Sequence, residues 1–309
     1  GYNSDLDGEV YKTISGQNSN NSVRIPDHFM KALNQEKKWS LRLTDKRRVY
    51  KKVPAKQIWD QICQAAWDCA DPGLQFDTTI NKFHTCPKSG KINSSNPCSE
   101  FMFLDDTACN LASINLVKFY VKKENQFVFD FEKFLETVDI LLRLQESLVD
   151  YSSYPSLEIA QKSHDFRPLG LGFANLGSLL MLMGVPYDSD EGRAWAAVIS
   201  SVMTAQSYLT SALIAKDKKA FSNYGKNKNS VFRVIRSHSL ASKKINWKQL
   251  PLDCKKINDL LWKNTLSHIK KYGVRNAQVT VIAPTGTIGL VMDCDTTGIE
   301  PEYALIKTK

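Results

Sequence analysis

Apolar residues recur at helical spacing through much of the chain. Pro26 opens one such run, with Phe29, Met30 and Leu33 on one face and proline at a first-turn position that helices accept. Residues 55–70 predict a clearer helix, in which Ile58, Ile62 and Ala66 form one stripe and Trp59, Cys63 and Trp67 a second beside it. Asp71-Pro72-Gly73 ends it. Further helices are predicted over about 130–150, 168–184, 190–216 and 255–272. Asp188-Ser189-Asp190-Glu191 supplies capping oxygens and negative charge where the third of these begins.

Between the helices the pattern changes. Residues 9–25 hold short apolar steps around Gly16-Gln17-Asn18-Ser19-Asn20-Asn21-Ser22, a run that favours turns and builds no core. From Lys37 to Lys56, charge alternates with Trp39, Leu41, Leu43, Val49 and Tyr50, which predicts a hairpin with a charged face. The stretch from Leu74 to about Tyr120 is rich in Asn, Ser, Thr and Asp yet studded with Phe and Leu; long polar segments in compact domains are uncommon and often functional. Arg275 to Ala283 reads as a strand running directly into Pro284-Thr285-Gly286-Thr287-Ile288-Gly289, a turn followed by a helix. Long helices with occasional strands predict an α/β protein with large helical additions.

Composition narrows the class. A chain of 309 residues holds one large domain or two small ones, and 42% apolar with 24% charged residues is ordinary for a globular protein. The most apolar run, Leu169 to Val185, contains Gly170, Gly172, Asn175 and Gly177 and is too short and too polar to span a bilayer. It reads as a buried helix, and a soluble, cytoplasmic chain without a membrane partner is expected. The net charge of +9 suits a polyanionic ligand such as a nucleotide, or else a solvated basic surface. No aromatic-basic stacking array accompanies it, so nucleic acid is not an expected partner. Seven cysteines, an odd number with no C-x-x-C pair, argue against a disulfide scaffold and for one or two functional thiols. Cys86 and Cys98, even with His84, lack zinc-knuckle spacing, so no metal site is expected. Neither Gly1 nor Lys309 looks like a natural terminus.

The most chemically suggestive segment is Asn96-Pro97-Cys98-Ser99-Glu100. Proline excludes a regular helix and pushes Asn96 towards an extended conformation. In an extended segment, positions i, i+2 and i+4 face one side, so Asn96, Cys98 and Glu100 would project an amide, a thiol and a carboxylate around one point. The thiol can serve as nucleophile, metal ligand or radical carrier, the carboxylate as a base, and the amide as an orienter of hydroxyls. A loop cysteine with polar neighbours is the alternative. The Pro284 turn has its own warrant, because a strand entering a turn and then a helix leaves backbone N–H groups unpaired and suited to an anion.

The stretch Ser95 to Ser113, containing Asn96-Pro97-Cys98-Ser99-Glu100 and Phe103-Leu104-Asp105-Asp106-Thr107-Ala108-Cys109, resembles the radical-site loop of ribonucleotide reductases, most of all the adenosylcobalamin-dependent class. His84-Thr85-Cys86-Pro87 upstream supports that class. Asp71 to Asn81 looks like the family's approach to the loop, and Arg167-Pro168-Leu169-Gly170-Leu171-Gly172 like its glycine-rich helix. Ala283 to Gly289, followed by Gly298-Ile299-Glu300-Pro301, looks like its phosphate-binding turn. These matches occur in family order and span most of residues 9–309.

The resemblance implies part of a ten-stranded α/β barrel, with a central finger loop at about 93–112 and the phosphate-binding turn at about 283–290. It implies a transient thiyl radical on Cys98, Glu100 as acceptor of the 3′-hydroxyl proton, Asn96 holding the ribose hydroxyls, and Cys109 as one of two thiols that become a disulfide. Thr285, Gly286, Thr287 and Ile288 would contact substrate phosphates, and Gln17, Asn18, Asn20 and Asn21 would form the loop that couples effector identity to base choice. Implied partners are adenosylcobalamin, a ribonucleoside diphosphate or triphosphate, dNTP and ATP effectors, a thioredoxin-like reductant and a second subunit in a homodimer. A ribonucleoside-diphosphate reductase is the expected activity; a catalytically inactive nucleotide-binding or regulatory piece and the diiron-dependent class are the alternatives. Family chains are longer, and their first redox thiol and C-terminal thiols fall outside the matched segment. An internal fragment, incomplete by itself, is therefore expected.

Overall fold

The computed structural model describes residues 19–44, 48–304 and 306. The chain divides into two compact units, Gly1–Phe83 with Ile92–Met102, and His84–Lys91 with Phe103–Lys309.

The first unit begins with strand β1 (Ser22–Ile25) and helix α1 (Asp27–Asn34), which starts one residue after Pro26. The charged hairpin forms as expected from β2 (Lys38–Arg42) and β3 (Val49–Pro54), antiparallel, with a register shift at Leu41/Arg42. Its tip, residues 45–47, lies outside the described residues. Helix α2 (Ala55–Cys69) follows, then β4 (Gly73–Phe76) and the short α3 (Asp77–Lys82). The core gathers Ile25, Phe29 and Ala55, with Trp39, Ile58, Trp59 and Ile62 packed against it. Both stripes expected on α2 reach the core only near its start, through Ile58, Trp59 and Ile62, whereas Cys63 and Ala66 are exposed and Trp67 is 86% exposed. Residues 22–25, read from sequence as turn-forming, pair in parallel with β4 instead, Arg24 opposite Gln75. Four residues flanked by turn formers carry too little alternation to announce a strand.

The second unit carries β5 (Asn110–Asn115), a 3₁₀ turn (Leu116–Phe119), and the hairpin β6 (Tyr120–Lys123) with β7 (Gln126–Phe129). Helices α4 (Phe131–Tyr151) and α5 (Leu157–Phe166) follow. Strand β8 (Leu169–Ala174) and helix α6 (Leu176–Met183) then replace the single helix expected over 168–184. A fully buried strand is a continuous apolar run without alternation, so periodicity cannot separate it from a buried helix. All six residues of β8 are buried, and the strand runs parallel to β5 with Asn110 opposite Leu169. On its other side it meets residues 278–281 through Leu169 N–H to Gln278 O (2.9 Å), Leu171 N–H to Val279 O (3.0 Å) and Val281 N–H to Leu171 O (3.1 Å). The strand expected over 275–283 is therefore extended chain with one parallel bridge, Leu171 to Thr280.

Helices α7 (Asp190–Lys218), α8 (Tyr224–Ser242), α9 (Leu252–Tyr272) and the short α10 (Gly286–Val291) complete the unit. Ser189 caps α7 as its sequence requires, its side chain accepting from Gly192 N–H. Helix α7 is long and apolar enough to cross a membrane by length and composition, but 61% of that apolar window is buried inside the structure. It packs against α4 and α9 as a core helix. The described strands form two-stranded sheets, and no closed barrel is formed among the described residues.

A buried polar cluster ties the elements of this unit at one end. Glu146 of α4 is 2% exposed; its Oε1 accepts from Arg167 Nε (2.7 Å) and Arg275 Nε (2.8 Å), and its Oε2 from Asn276 Nδ2 (2.5 Å). Arg167 also bonds Asp150, holding that carboxyl below the usual carboxylate range, and Asn276 bonds Ser211 of α7. Two cations on one buried carboxylate fix where β8 and the 277–283 segment begin.

Candidate active site

The stretch 93–112 is divided between the units, with Cys98 in the first and Cys109 in the second. In the first unit, Asn96-Pro97-Cys98-Ser99 is a turn closed by Ser99 N–H to Asn96 O at 3.1 Å. Ser99 takes a left-handed conformation, φ 64°. The segment is thus not the extended alternation expected from proline, and Asn96, Cys98 and Glu100 do not share a face by period two. They lie within and just after one tight turn instead. Asn96 folds back so that its Oδ1 accepts Phe101 N–H at 3.0 Å. Cys98 is exposed. Glu100 Oε2 is buried with no hydrogen-bond partner among the described residues, a costly state for a carboxylate oxygen unless something else meets it.

In the second unit, Cys109 immediately precedes β5. Its approach is braced by Ala108 N–H to Ser163 Oγ (3.0 Å) and by Lys162 Nζ to Asp106 (2.8 Å). Asn110 and Gln145 of α4 bond reciprocally: Gln145 Nε2 donates to Asn110 O at 2.7 Å and Asn110 Nδ2 to Gln145 O at 3.3 Å. The glycines of β8 are explained by close approach. A Cβ on Gly170 would fall 2.5 Å from Cys109 Sγ, and one on Gly172 would fall 2.5 Å from Val281 O.

The turn after residue 283 lies at the opposite end of the β5–β8 ribbon from Cys109, at the carboxyl ends of the parallel strands, where α/β proteins commonly hold ligands. Its left-handed residue is Thr285 (φ 54°), not the glycine. Thr285 is buried, and its Oγ1 accepts Gly298 N–H at 2.6 Å. Gly286, Thr287 and Ile288 are exposed, and their N–H groups precede the first helical bond of α10, Gly289 N–H to Thr285 O. A polar clasp missed in the sequence secures this end. Asn175, left-handed at the end of β8, donates to Asn115 Oδ1 (3.1 Å), and its own Oδ1 accepts Thr296 N–H (3.0 Å). A lone asparagine within the apolar run 169–185 was the only signal of it.

Of the four residues expected in a base-reading loop, Gln17 and Asn18 lie outside the described residues. Asn20 and Asn21 are exposed, and Asn21 O accepts Gly73 N–H at 2.8 Å. Two of the other cysteines are chemically quiet: burial pushes the Cys86 thiol up to about 12 and Cys254 up to about 11.

A family model described as the ribonucleotide reductase barrel domain matches residues 8–309. The vitamin B12-dependent ribonucleotide reductase of Bradyrhizobium diazoefficiens is 48% identical over 100% of this chain, and that of Agrobacterium fabrum 46% identical over 100%. The chain covers 26% and 25% of those two relatives. A vitamin B12-dependent ribonucleoside-diphosphate reductase from Mycobacterium tuberculosis is 30% identical over 94% of the chain and 36% of the relative.

Proposed function

Because the chain belongs to the ribonucleotide reductase family, we propose that it forms part of the catalytic subunit of an adenosylcobalamin-dependent enzyme that reduces ribonucleotides to 2′-deoxyribonucleotides for DNA synthesis. The observation that carries this reading is the turn bearing an exposed Cys98 thiol, with Glu100 Oε2 buried and unpartnered two residues on. The names of the relatives support the cofactor, and one of them supports the diphosphate as substrate.

In this reading Cys98, as a thiyl radical, takes the 3′ hydrogen of the ribose and later returns it. Glu100 Oε2 accepts the 3′-hydroxyl proton, which gives the unpartnered oxygen its partner. The Asn96 amide orients the ribose hydroxyls. Cys109 and a second thiol outside this chain are oxidised to a disulfide, and their two electrons and two protons release the 2′-hydroxyl as water. A thioredoxin-like protein reduces that disulfide. Adenosylcobalamin supplies the initial radical equivalent, and the exposure of Cys98 at the apex of its turn suits a source held against it. The exposed N–H groups of Gly286, Thr287 and Ile288 receive the substrate phosphates; in a six-residue helix these amides matter more than the dipole.

The β5–β8 ribbon and the 277–283 segment are read as pieces of the family's ten-stranded barrel, to be closed by sequence such as that which flanks the matching region in the relatives. Residues 17–21 are read as the loop through which dNTP or ATP effectors set base choice, and the assembled enzyme as a homodimer.

The test places this chain in the matching region of the Bradyrhizobium reductase and supplies adenosylcobalamin, a dithiol and labelled CDP or CTP. Deoxycytidine nucleotide that depends on the cobalamin is expected. Product that requires a diiron partner instead would overturn the class, and a folded, nucleotide-binding assembly without product would overturn the activity.

A further inference from the structure

Strand β4 turns its large apolar side chains outward and its amide inward. Leu74 and Phe76 are 36% and 43% exposed, whereas Gln75 is 5% exposed. A strand that gives its interior position to an amide depends on that amide's hydrogen bonds. Gln75 makes three. Its Oε1 accepts from Arg24 Nη1 at 3.0 Å, and its Nε2 donates to Ser95 Oγ at 2.8 Å and Ser99 Oγ at 2.9 Å.

These partners fix the amide's direction. A guanidinium only donates, so the oxygen must face Arg24 and the NH₂ must face the serines. Arg24 is itself held by Asp77 (3.1 Å from Nε) and by Ile92 O (3.1 Å from Nη2), and it lies directly opposite Gln75 in the parallel register. The two serines flank Cys98. Ser95 Oγ donates to Asn96 O at 2.7 Å, the carbonyl that also closes the turn by accepting Ser99 N–H. Ser99 holds a left-handed conformation that an L residue adopts only when its surroundings enforce it.

We infer that Gln75, oriented by Arg24, is a positioning residue for the Cys98 thiol, clamping both ends of the turn so that the sulfur is aimed. The inference rests on the reading of Cys98 as the radical site. Gln75 touches neither substrate nor cofactor in this role. Its loss frees Ser99 to leave the left-handed region, which swings the sulfur, and hydrogen transfer is sensitive to displacements of about an ångström.

The test uses the same chimaeric reductase as parent, Gln75→Met, Ser99→Ala and the double variant. Methionine conserves length and volume and removes the amide. Each single change is expected to lower kcat about 10- to 100-fold with KM held within about twofold. The double variant should be no worse than the more damaged single, because both changes cut one link. Without cofactor, the rate at which iodoacetamide alkylates Cys98, read by peptide mass spectrometry, should shift about threefold or more in both singles relative to the parent. Unchanged kcat and unchanged alkylation in a folded Gln75→Met, or in Ser99→Ala if Gln75→Met does not fold, would overturn the inference, as would fully multiplicative losses in the double. If Cys98→Ala still turns over, the radical-site reading fails instead, and the alkylation rates still decide whether Gln75 positions the thiol.

Discussion

The sulfur of Cys109 stands where a side chain on Gly170 would have to be, 2.5 Å from the Cβ position of that glycine. Leu111 and Val281 crowd the same point at 2.7 and 3.0 Å, so the thiol is seated against β8 by the absence of a side chain. A thiol held in this way has one position, set by the strand behind it.

Gly170→Ala should therefore displace Cys109 and strain β8. The expected loss is about 1–3 kcal/mol of stability, the usual cost of overpacking, with a changed alkylation rate at Cys109. Thermal melts and peptide-resolved alkylation check both. In the chimaera, Cys109→Ala should still release tritium from a 3′-labelled substrate while multiple turnover stops.

Glu146 receives two guanidinium groups and an amide while nearly excluded from water. Glu146→Ala leaves Arg167 buried with only the partly exposed Asp150 as counter-charge, and a loss of about 3–5 kcal/mol is expected by chemical denaturation. The paired removal of Glu146 and Arg167 should cost less than the sum of the two single changes.

His84 gives the fold an acid sensitivity. Its Nε2 faces Gly90 O at 3.2 Å and its Nδ1 faces Cys86 N–H at 3.3 Å, so both nitrogens serve a neutral ring. Burial lowers its pKa from 6.5 to about 4, against the raising effect of the Gly90 carbonyl. Between those two values the unfolded chain binds the extra proton. The contribution is therefore complete above about pH 6.5 and is lost as pH falls towards 4, by up to about 3 kcal/mol. The melting midpoint should fall over that window, and less steeply in His84→Gln.

Thr285→Val keeps the shape of the turn after residue 283 but orphans the Gly298 N–H that the threonine hydroxyl accepts. A cost of about 1–3 kcal/mol is expected. If the exposed amides of residues 286–288 hold phosphate, KM for nucleotide should rise while Cys98 alkylation stays at the parent rate. Steady-state kinetics of the chimaera separates the two.

Helices α1, α2, α4, α7 and α9 are legible because each shows an apolar stripe at 3.6-residue spacing, and Ser189 marks one start. Helices α5 and α8 escaped notice. In α8, Val231, Val234 and Ile235 form a narrow buried face among lysines, asparagines and serines. Strand β8 was misread as helix because six buried residues give no alternation, and its glycines, which suit close approach in a strand, do not announce it. Cys98 and Glu100 could be found because they sit in one short loop with a family resemblance. Gln75, Arg24 and Asn175 could not. Their roles come from partners 20 to 121 residues away, and no local pattern encodes such a bond.

The most direct test of the central claim compares parent, Cys98→Ser and Cys98→Ala in the chimaeric reductase with adenosylcobalamin, a dithiol and labelled CDP. Deoxycytidine nucleotide from the parent, and at least about a thousandfold less from both variants at unchanged nucleotide affinity, is the expected result, since neither a hydroxyl nor a methyl replaces a thiol as hydrogen carrier. Turnover by Cys98→Ala at a rate near that of the parent would contradict it.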